Sequence, residues 1–405
     1  MAQRTRTPDS VDTWTCPGFR FAGARGGIKA KAGLDVGLIA TRAPASAAAV
    51  FTQNRVPAAP VRLARAAMAK TRGKLGGVVV SSGNANACTG AQGHKDARAM
   101  AAMAATQIGC TAGQVLVAST GVIGQPLPMP KIAGGIAAAG AGLRDDGWRD
   151  FAHAILTTDK RAKVARREFA VGRHRLTLLG CTKGAGMIMP NMATTLTFVV
   201  TDAAIAPRAL DRCVRAAVEP TYNAIAVDGD TSTNDTLAVL ASGATGPALA
   251  GRSLAAFGAA LTELLDDLAT QLMGDGEGVH HVVRIEITGA ASARAAQAVA
   301  RRVATSPLVK TAIAGGDPNW GRLLCAVGNA SVPVRPDRLA LSIGDVRVVT
   351  RGAQAPGYVE ARAAAVMKRP QYAITIDLGA GRHRAHYLAC DLSHGYVEIN
   401  ADYRS

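Results

Sequence analysis

Short apolar runs broken by glycine and proline open the chain, whereas apolar positions at helical spacing mark its middle. From about residue 19 to 61 the alternation reads as strands and turns. Residues 76–80 form a short buried strand that runs into the small polar loop 81–90, and residues 94–107 follow as a helix with alanines and methionines on one face. A second strand at 115–118 ends in Ser119-Thr120-Gly121. Helices are predicted at about 130–142 and 147–157, then a strand at 176–179. Pro207–Val218 reads as a helix with proline in its first turn. The clearest helix follows, capped by Ser253, with Phe257, Leu261, Leu264, Leu268 and Leu272 on one face. Ser306-Pro307 opens another short helix. Past Gly278 strands return at 282–287, 339–349, 372–378, 385–392 and 396–400, the last two joined through Ser393-His394-Gly395 as a hairpin. No tandem repeat appears. Together these elements predict an α/β or α+β protein in which helices cover sheets.

Composition narrows the function. The chain has 405 residues, 48% of them hydrophobic, enough for a large core. Its formal charge of +17 favours anionic partners. The arginines are scattered, however, as at Arg144, Arg149, Arg161, Arg166 and Arg167. No basic run interleaves with aromatics and no zinc-finger spacing occurs, so nucleic acid is not the expected partner. Seven cysteines without a CxxC pair predict reduced thiols and a cytoplasmic protein. The polar first fifteen residues lack the apolar segment of a signal peptide. The apolar run at 132–143 is too short to span a membrane, and none is expected as a partner.

The candidate chemistry centres on Lys183-Gly184-Ala185-Gly186-Met187-Ile188-Met189-Pro190-Asn191-Met192-Ala193-Thr194-Thr195, a glycine-rich loop leading into a strand. If Leu196, Phe198 and Val200 face a core, alternation puts Thr194 on their side and Thr195 on the other. A threonine hydroxyl is inert without a base. The two glycines and Pro190 allow a strained backbone ahead of it. Strain there favours attack of the hydroxyl on the preceding carbonyl, an N→O acyl shift. The cut that follows frees an amine on Thr194 that can serve as its base. Ser119-Thr120-Gly121 could supply donors to an oxyanion, although the same tripeptide is also an ordinary turn.

Three further polar loops have less specific signals. The loop Asp228-Gly229-Asp230-Thr231-Ser232-Thr233-Asn234-Asp235 lacks the spacing of a calcium loop, and no metal site is expected. Asp275-Gly276-Glu277-Gly278 reads as a helix stop. Gly316-Asp317-Pro318-Asn319-Trp320-Gly321-Arg322 reads as a turn or as the buttress of a site. His280-His281 reads as structural. No GxSxG, Walker A, HExxH or dinucleotide fingerprint occurs.

Five pieces in order resemble one family. They are Ser82-Gly83-Asn84-Ala85-Asn86-Ala87-Cys88-Thr89-Gly90, Ser119-Thr120-Gly121-Val122-Ile123-Gly124, Pro190-Asn191-Met192-Ala193-Thr194, the 227–235 loop and Asp317-Pro318-Asn319-Trp320-Gly321-Arg322. With the carboxyl-terminal residues 396–405, they are similar to the ornithine acetyltransferases of the cyclic arginine pathway, often bifunctional as glutamate N-acetyltransferases. The resemblance implies a layered α/β sandwich of the N-terminal-nucleophile-like kind. It also implies self-cleavage between Ala193 and Thr194 into an α chain (1–193) and a β chain (194–405) that stay associated as α2β2 or larger. Thr194 would be the nucleophile, with Thr120 and Gly121 as the oxyanion hole. Thr157, Lys183, Thr194, Glu277, Asn400 and Ser405 would bind substrate.

The implied reaction passes acetyl from N-acetylornithine to glutamate through an acetyl-threonine ester, with no cofactor and with acetyl-CoA open as a second donor. The alternatives are a related amidase or peptidase in which water takes the acyl group, a specialised-metabolism acyltransferase, and a nucleic-acid binder that uses the basic charge. The sequence departs from the family at three places: Ala185 where serine is common, Thr195 where methionine is usual, and Val279-His280-His281 in place of Ala-Thr-Lys.

Overall fold

The computed structural model describes residues 11–30, 32–189 and 195–402. In chain order the first strands are β1 (Phe19–Ala24), β2 (Val36–Phe51), β3 (Lys74–Asn84), β4 (Val115–Val122), β5 (Lys163–Val171), β6 (His174–Lys183) and β7 (Leu196–Ala204). Then come β8 (Ile225–Ala226), β9 (Thr236–Ala248), β10 (Val282–Ala290), β11 (Ala340–Ile343), β12 (Val346–Thr350), β13 (Ala353–Gln354), β14 (Gln371–Asp377) and β15 (His383–Cys390). They form two sheets. The first runs β4-β3-β2-β9-β7-β6-β5, with β1 also on β2; the second runs β13-β12-β11-β14-β10-β15-β8.

In the first sheet the pairs β3–β4 and β7–β9 are parallel and the rest are antiparallel. The strands β9 and β7, both from the carboxyl-terminal side of residue 194, lie between β2 and β6 from the amino-terminal side. The strand β2 is long enough to pair with β1 and β3 at one end and β9 at the other. Its ladder to β3 breaks between Ala40 and Ala45, where Arg42, Ala43 and Pro44 are exposed. A proline has no N–H to give a ladder, so it falls where the ladder is interrupted.

Strand β7 is buried on both faces, as expected of a central strand covered by helices. Leu196, Phe198 and Val200 pack with Trp148 and Phe151 on one side. Val199 packs on the other side with Leu178, with Leu237 and Val239 of β9, and with Leu261, Leu264 and Leu268 of the Gly251–Gly274 helix. Each such side chain contributes roughly 1.5–3 kcal/mol by leaving water. The same core takes in Val282 and Leu388 of the second sheet, so this long helix lies between the sheets. A separate core on the second sheet packs the helices Ala293–Ala304, Pro307–Ala314, Trp320–Gly328 and Glu360–Met367 against β10, β11 and β14.

The layered α/β expectation is borne out, with local corrections. The terminal hairpin is a helix, His394–Asp402. Its apolar residues make no buried strand face: Val397 is 61% exposed and Ile399 38%. The 339–349 strand is two strands folded about Gly344, whose φ of +57° suits glycine. A helix, Ala59–Thr71, begins inside the region read as strands, with Pro60 in its first turn and Val61, Ala64 and Ala67 buried on one side. Ser253 is not the cap itself but lies three residues after it: its Oγ accepts the Ala250 N–H at 3.1 Å. The structural reading of His280-His281 holds, since both backbone N–H groups donate to Asp391 Oδ1 at 2.9 Å.

Candidate active site

A cleft opens where β4 and β6 end and β7 and β9 begin. Its lining includes Thr120, Gly121, Thr157, Lys183, Glu277 and Asn400. Six of the expected site residues, distant in sequence, therefore share one space. The remaining expectations, at Ala193, Thr194 and Ser405, lie outside the described residues.

The β4 wall is set by a close crossing of backbones. The register of β3 on β4 shifts at Gly83 and Asn84. Gly121 has φ +130°, and a Cβ there would come within 2.3 Å of the Gly83 carbonyl carbon. Glycine is required on both counts. Beside it, Thr120 is 7% exposed and its Oγ1 accepts a hydrogen bond from Lys183 Nζ at 2.9 Å. An ammonium on the oxygen lone pair leaves the threonine O–H free to donate into the cleft. Asn234 braces the same wall from the 228–235 loop, donating from Nδ2 to the Ala85 carbonyl at 2.6 Å and the Ser119 carbonyl at 2.8 Å.

The opposite side rests on buried charge. Lys163 is fully buried between Asp159 and Asp275, with its Nζ 2.6 Å from Asp275 Oδ2. Asp159 also accepts the Gly184 N–H at 2.7 Å and, through its other oxygen, the Thr157 N–H at 2.9 Å. Burial would push the Asp159 carboxyl up, but Lys163, Lys183 and the Gly184 N–H outweigh it and hold it at about 2. Burial likewise pulls Lys183 below the ordinary lysine range, opposed by Asp159. One ion cluster thus fixes the Thr157 loop, the end of β6 and the end of the long helix.

Glu277 follows that helix end. It is 8% exposed, its N–H donates to the Ala185 carbonyl at 2.8 Å, and its Oε2 accepts from Asn400 Nδ2 at 3.0 Å. A Cβ on Gly186 would fall 2.3 Å from that oxygen, so the loop glycine makes room for the carboxylate. The loop itself is held by Asp228, which accepts the N–H groups of Met187 at 2.6 Å and Ile188 at 2.8 Å. Met187 has φ +55°, a left-handed conformation that costs an L residue roughly 1–2 kcal/mol. Thr231 Oγ1 donates to the Met189 carbonyl at 2.8 Å, and on the far side of the 190–194 segment the Thr236 N–H donates to the Thr195 carbonyl at 2.9 Å.

The strand alternation holds from Thr195 onward. Thr195 Oγ1 shares a hydrogen bond with Thr197 Oγ1 at 2.8 Å, on the side away from Leu196 and Phe198. Thr195 is 4% exposed and still borders the cleft. The loop at 316–322 does not reach it: Asn319 caps the Trp320–Gly328 helix, and Arg322 Nη1 donates to the Leu308 carbonyl at 3.1 Å. Its expected role as a site buttress is therefore replaced by a helix start. Sequence reasoning missed Asp159, Lys163, Asp228 and Asp235 as individuals. Only the density of small polar residues in 228–235 signalled that loop.

The ArgJ family model matches residues 20–405. The chain is 47% identical over 395 residues to the arginine biosynthesis bifunctional protein ArgJ of Rhizobium meliloti, covering 96% of this chain and 95% of that protein. It is 48% identical over 391 residues to the protein of that description from Geobacter sulfurreducens, covering 96% and 99%. Among solved structures, the arginine biosynthesis bifunctional protein argJ of Bacillus halodurans is 39% identical and aligns with 51% of this chain and 98% of its own, at a TM-score of 0.49.

Proposed function

The chain belongs to the ArgJ family, and on that premise we propose that it transfers acetyl from N2-acetyl-L-ornithine to L-glutamate through an ester on Thr194. The products are L-ornithine and N-acetylglutamate, for arginine biosynthesis. The observation that supports this most is the convergence of Thr120, Lys183 and Glu277 on one cleft at the start of β7. An acetylated diamino acid presents a carboxylate, an amide and a δ-ammonium. Lys183 pairs with the first and Glu277 with the last. The Thr120 hydroxyl and the Gly121 backbone stabilise the oxyanion that forms as Thr194 attacks the amide. Asn400 orients Glu277, and Thr157 and Ser405 complete the substrate contacts.

The nucleophile arises by self-cleavage between Ala193 and Thr194, which frees the Thr194 amine to take the hydroxyl proton. The resulting α chain (1–193) and β chain (194–405) stay together because β9 and β7 lie between β2 and β6. Two such pairs form the assembly. No metal or cofactor enters this scheme. Acetyl-CoA forms the same ester where the enzyme is bifunctional. The enzyme works in the cytoplasm; among the described residues, no helix is long and apolar enough to cross a membrane.

Intact mass under denaturing conditions tests the reading. Two fragments meeting at 193/194 are expected, and brief exposure to N-acetylornithine should add one acetyl to the second fragment. Glutamate should then remove it faster than water does. Thr194→Ala should remain one chain without acetyl. A cut that persists in the alanine variant overturns self-cleavage, and loss of acetyl to water as fast as to glutamate favours the hydrolase alternative.

A further inference from the structure

The Asp235 carboxyl has no part in the scheme above, yet it borders the cleft beside Lys183 and Thr195. It is 2% exposed, and its Oδ2 has no hydrogen-bond partner among the described residues. Leaving such an oxygen unpaired costs a folded protein about 1–3 kcal/mol, and each native instance asks for a reason. The position is rigid. The Asp235 carbonyl accepts the Thr52 N–H at 3.0 Å, Asn234 is pinned to the β4 wall, and the next residue, Thr236, is bonded to Thr195. The carboxyl is therefore held at the edge of the cleft with one oxygen unpaired among the described residues.

Acetyl transfer between two amines needs a proton moved twice. When acetyl passes from the donor amide to the threonine oxygen, the C–N bond breaks and the departing nitrogen must gain a proton. When glutamate arrives, its ammonium must lose one before the nitrogen lone pair can attack the ester. We propose that Asp235 is a further catalytic residue, the acid and base that exchanges this proton with the substrate amine. The role rests on the acetyl-transfer reading.

In the first half, protonated Asp235 gives its proton to the leaving nitrogen and becomes a carboxylate, and the hydroxyl proton held on the Thr194 amine follows, so ornithine leaves as its ammonium and the Thr194 amine is free again. In the second, the carboxylate takes a proton from the incoming ammonium. The nitrogen then forms the new C–N bond, its remaining surplus proton goes to the threonine oxygen as the C–O bond breaks, and Asp235 is again protonated. The cycle closes with no added reactant.

The surroundings suit the task. Burial pushes the Asp235 carboxyl well above the usual carboxylate range, opposed by Ser232 and by Lys183 at the end of β6. The other carboxylates near the cleft, among the described residues, are placed elsewhere. Glu277 faces Asn400, and Asp159, beyond Lys183, is committed to Lys163 and Gly184.

The test uses the acetyl-enzyme of Asp235→Asn, which keeps the side-chain shape. Glutamate-dependent release of acetyl should slow about 10²–10⁴-fold, the range for a lost general base. Hydroxylamine, an amine already deprotonated at neutral pH, should still strip the acetyl within a few-fold of the unaltered rate. Asp235→Glu should recover part of the glutamate reaction. Transfer to glutamate at the unaltered rate, or equal loss with both acceptors, overturns the role. If the asparagine variant is not processed, the unaltered enzyme decides: the acid-side fall in the glutamate rate should be absent with hydroxylamine after correction for acceptor protonation, and the same fall with both acceptors overturns the role. Failure of the unaltered enzyme to take acetyl at all overturns the acetyl-transfer reading, and this role with it.

Discussion

The loops 228–235 and 316–322 look alike in sequence, each mixing aspartate and asparagine with glycine, but they bind their surroundings in opposite ways. Asp228 reaches Met187 and Ile188, some forty positions earlier, and Asn234 reaches Ala85 and Ser119. In the other loop Asn319 accepts from the Arg322 N–H and donates to Asp317, all within a few residues. One loop fastens distant parts of the chain around a cleft, and the other starts a helix. A polar loop builds a site when its partners are remote, a property that spacing alone does not reveal.

The largest expected effect separates the two loops. Asp228→Ala orphans the Met187 and Ile188 N–H groups next to the cleavage segment. It should slow self-cleavage severely and lower stability by about 2–3 kcal/mol, read from the uncut fraction on a denaturing gel and the denaturant midpoint. Glu277→Gln should come next. It should weaken N-acetylornithine by roughly 1–3 kcal/mol more than glutamate, because only the ornithine side chain carries an ammonium. Equal weakening of both substrates, in steady-state kinetics, removes Glu277 from that role.

Asn319→Ala removes only a helix cap and should cost about 1 kcal/mol of stability with cleavage and transfer intact. If it blocks cleavage as Asp228→Ala does, the contrast between the loops is wrong. The smallest effect belongs to Thr195→Val. It loses the bond to Thr197, about 1 kcal/mol, but should be cut and retain most transfer activity. Acetyl mapped to residue 195, or activity lost in this variant with normal folding, names the wrong threonine.

Local signals carried much of the fold. Pro207–Val218 is a helix with the bounds its proline and apolar spacing predict, and the leucines of the long helix point to its buried side. The terminal segment misled because Tyr396, Val397 and Ile399 favour a strand by type, while only Tyr396 finds a core to rest on. At the site, the family resemblance brought Thr120, Lys183 and Glu277 into view, although only Thr120 lies inside the five pieces that carry it. The Lys163 ion cluster stayed hidden, since its partner Asp275 is over a hundred residues away and nothing in a linear pattern joins them.

The placement of β9 and β7 between β2 and β6 has a consequence for the order of events in the life of the protein. While the chain is whole, these strands find their slot as parts of one molecule, at a rate that dilution does not change. If residue 193 is parted from 194 as proposed, the same assembly becomes a meeting of two molecules. The cut enzyme should therefore persist once formed but recover poorly from full unfolding, and worse the more dilute it is. An uncut Thr194→Ala chain should regain its fold with a yield independent of concentration. Cleavage, on this account, converts a reversible fold into one with a history.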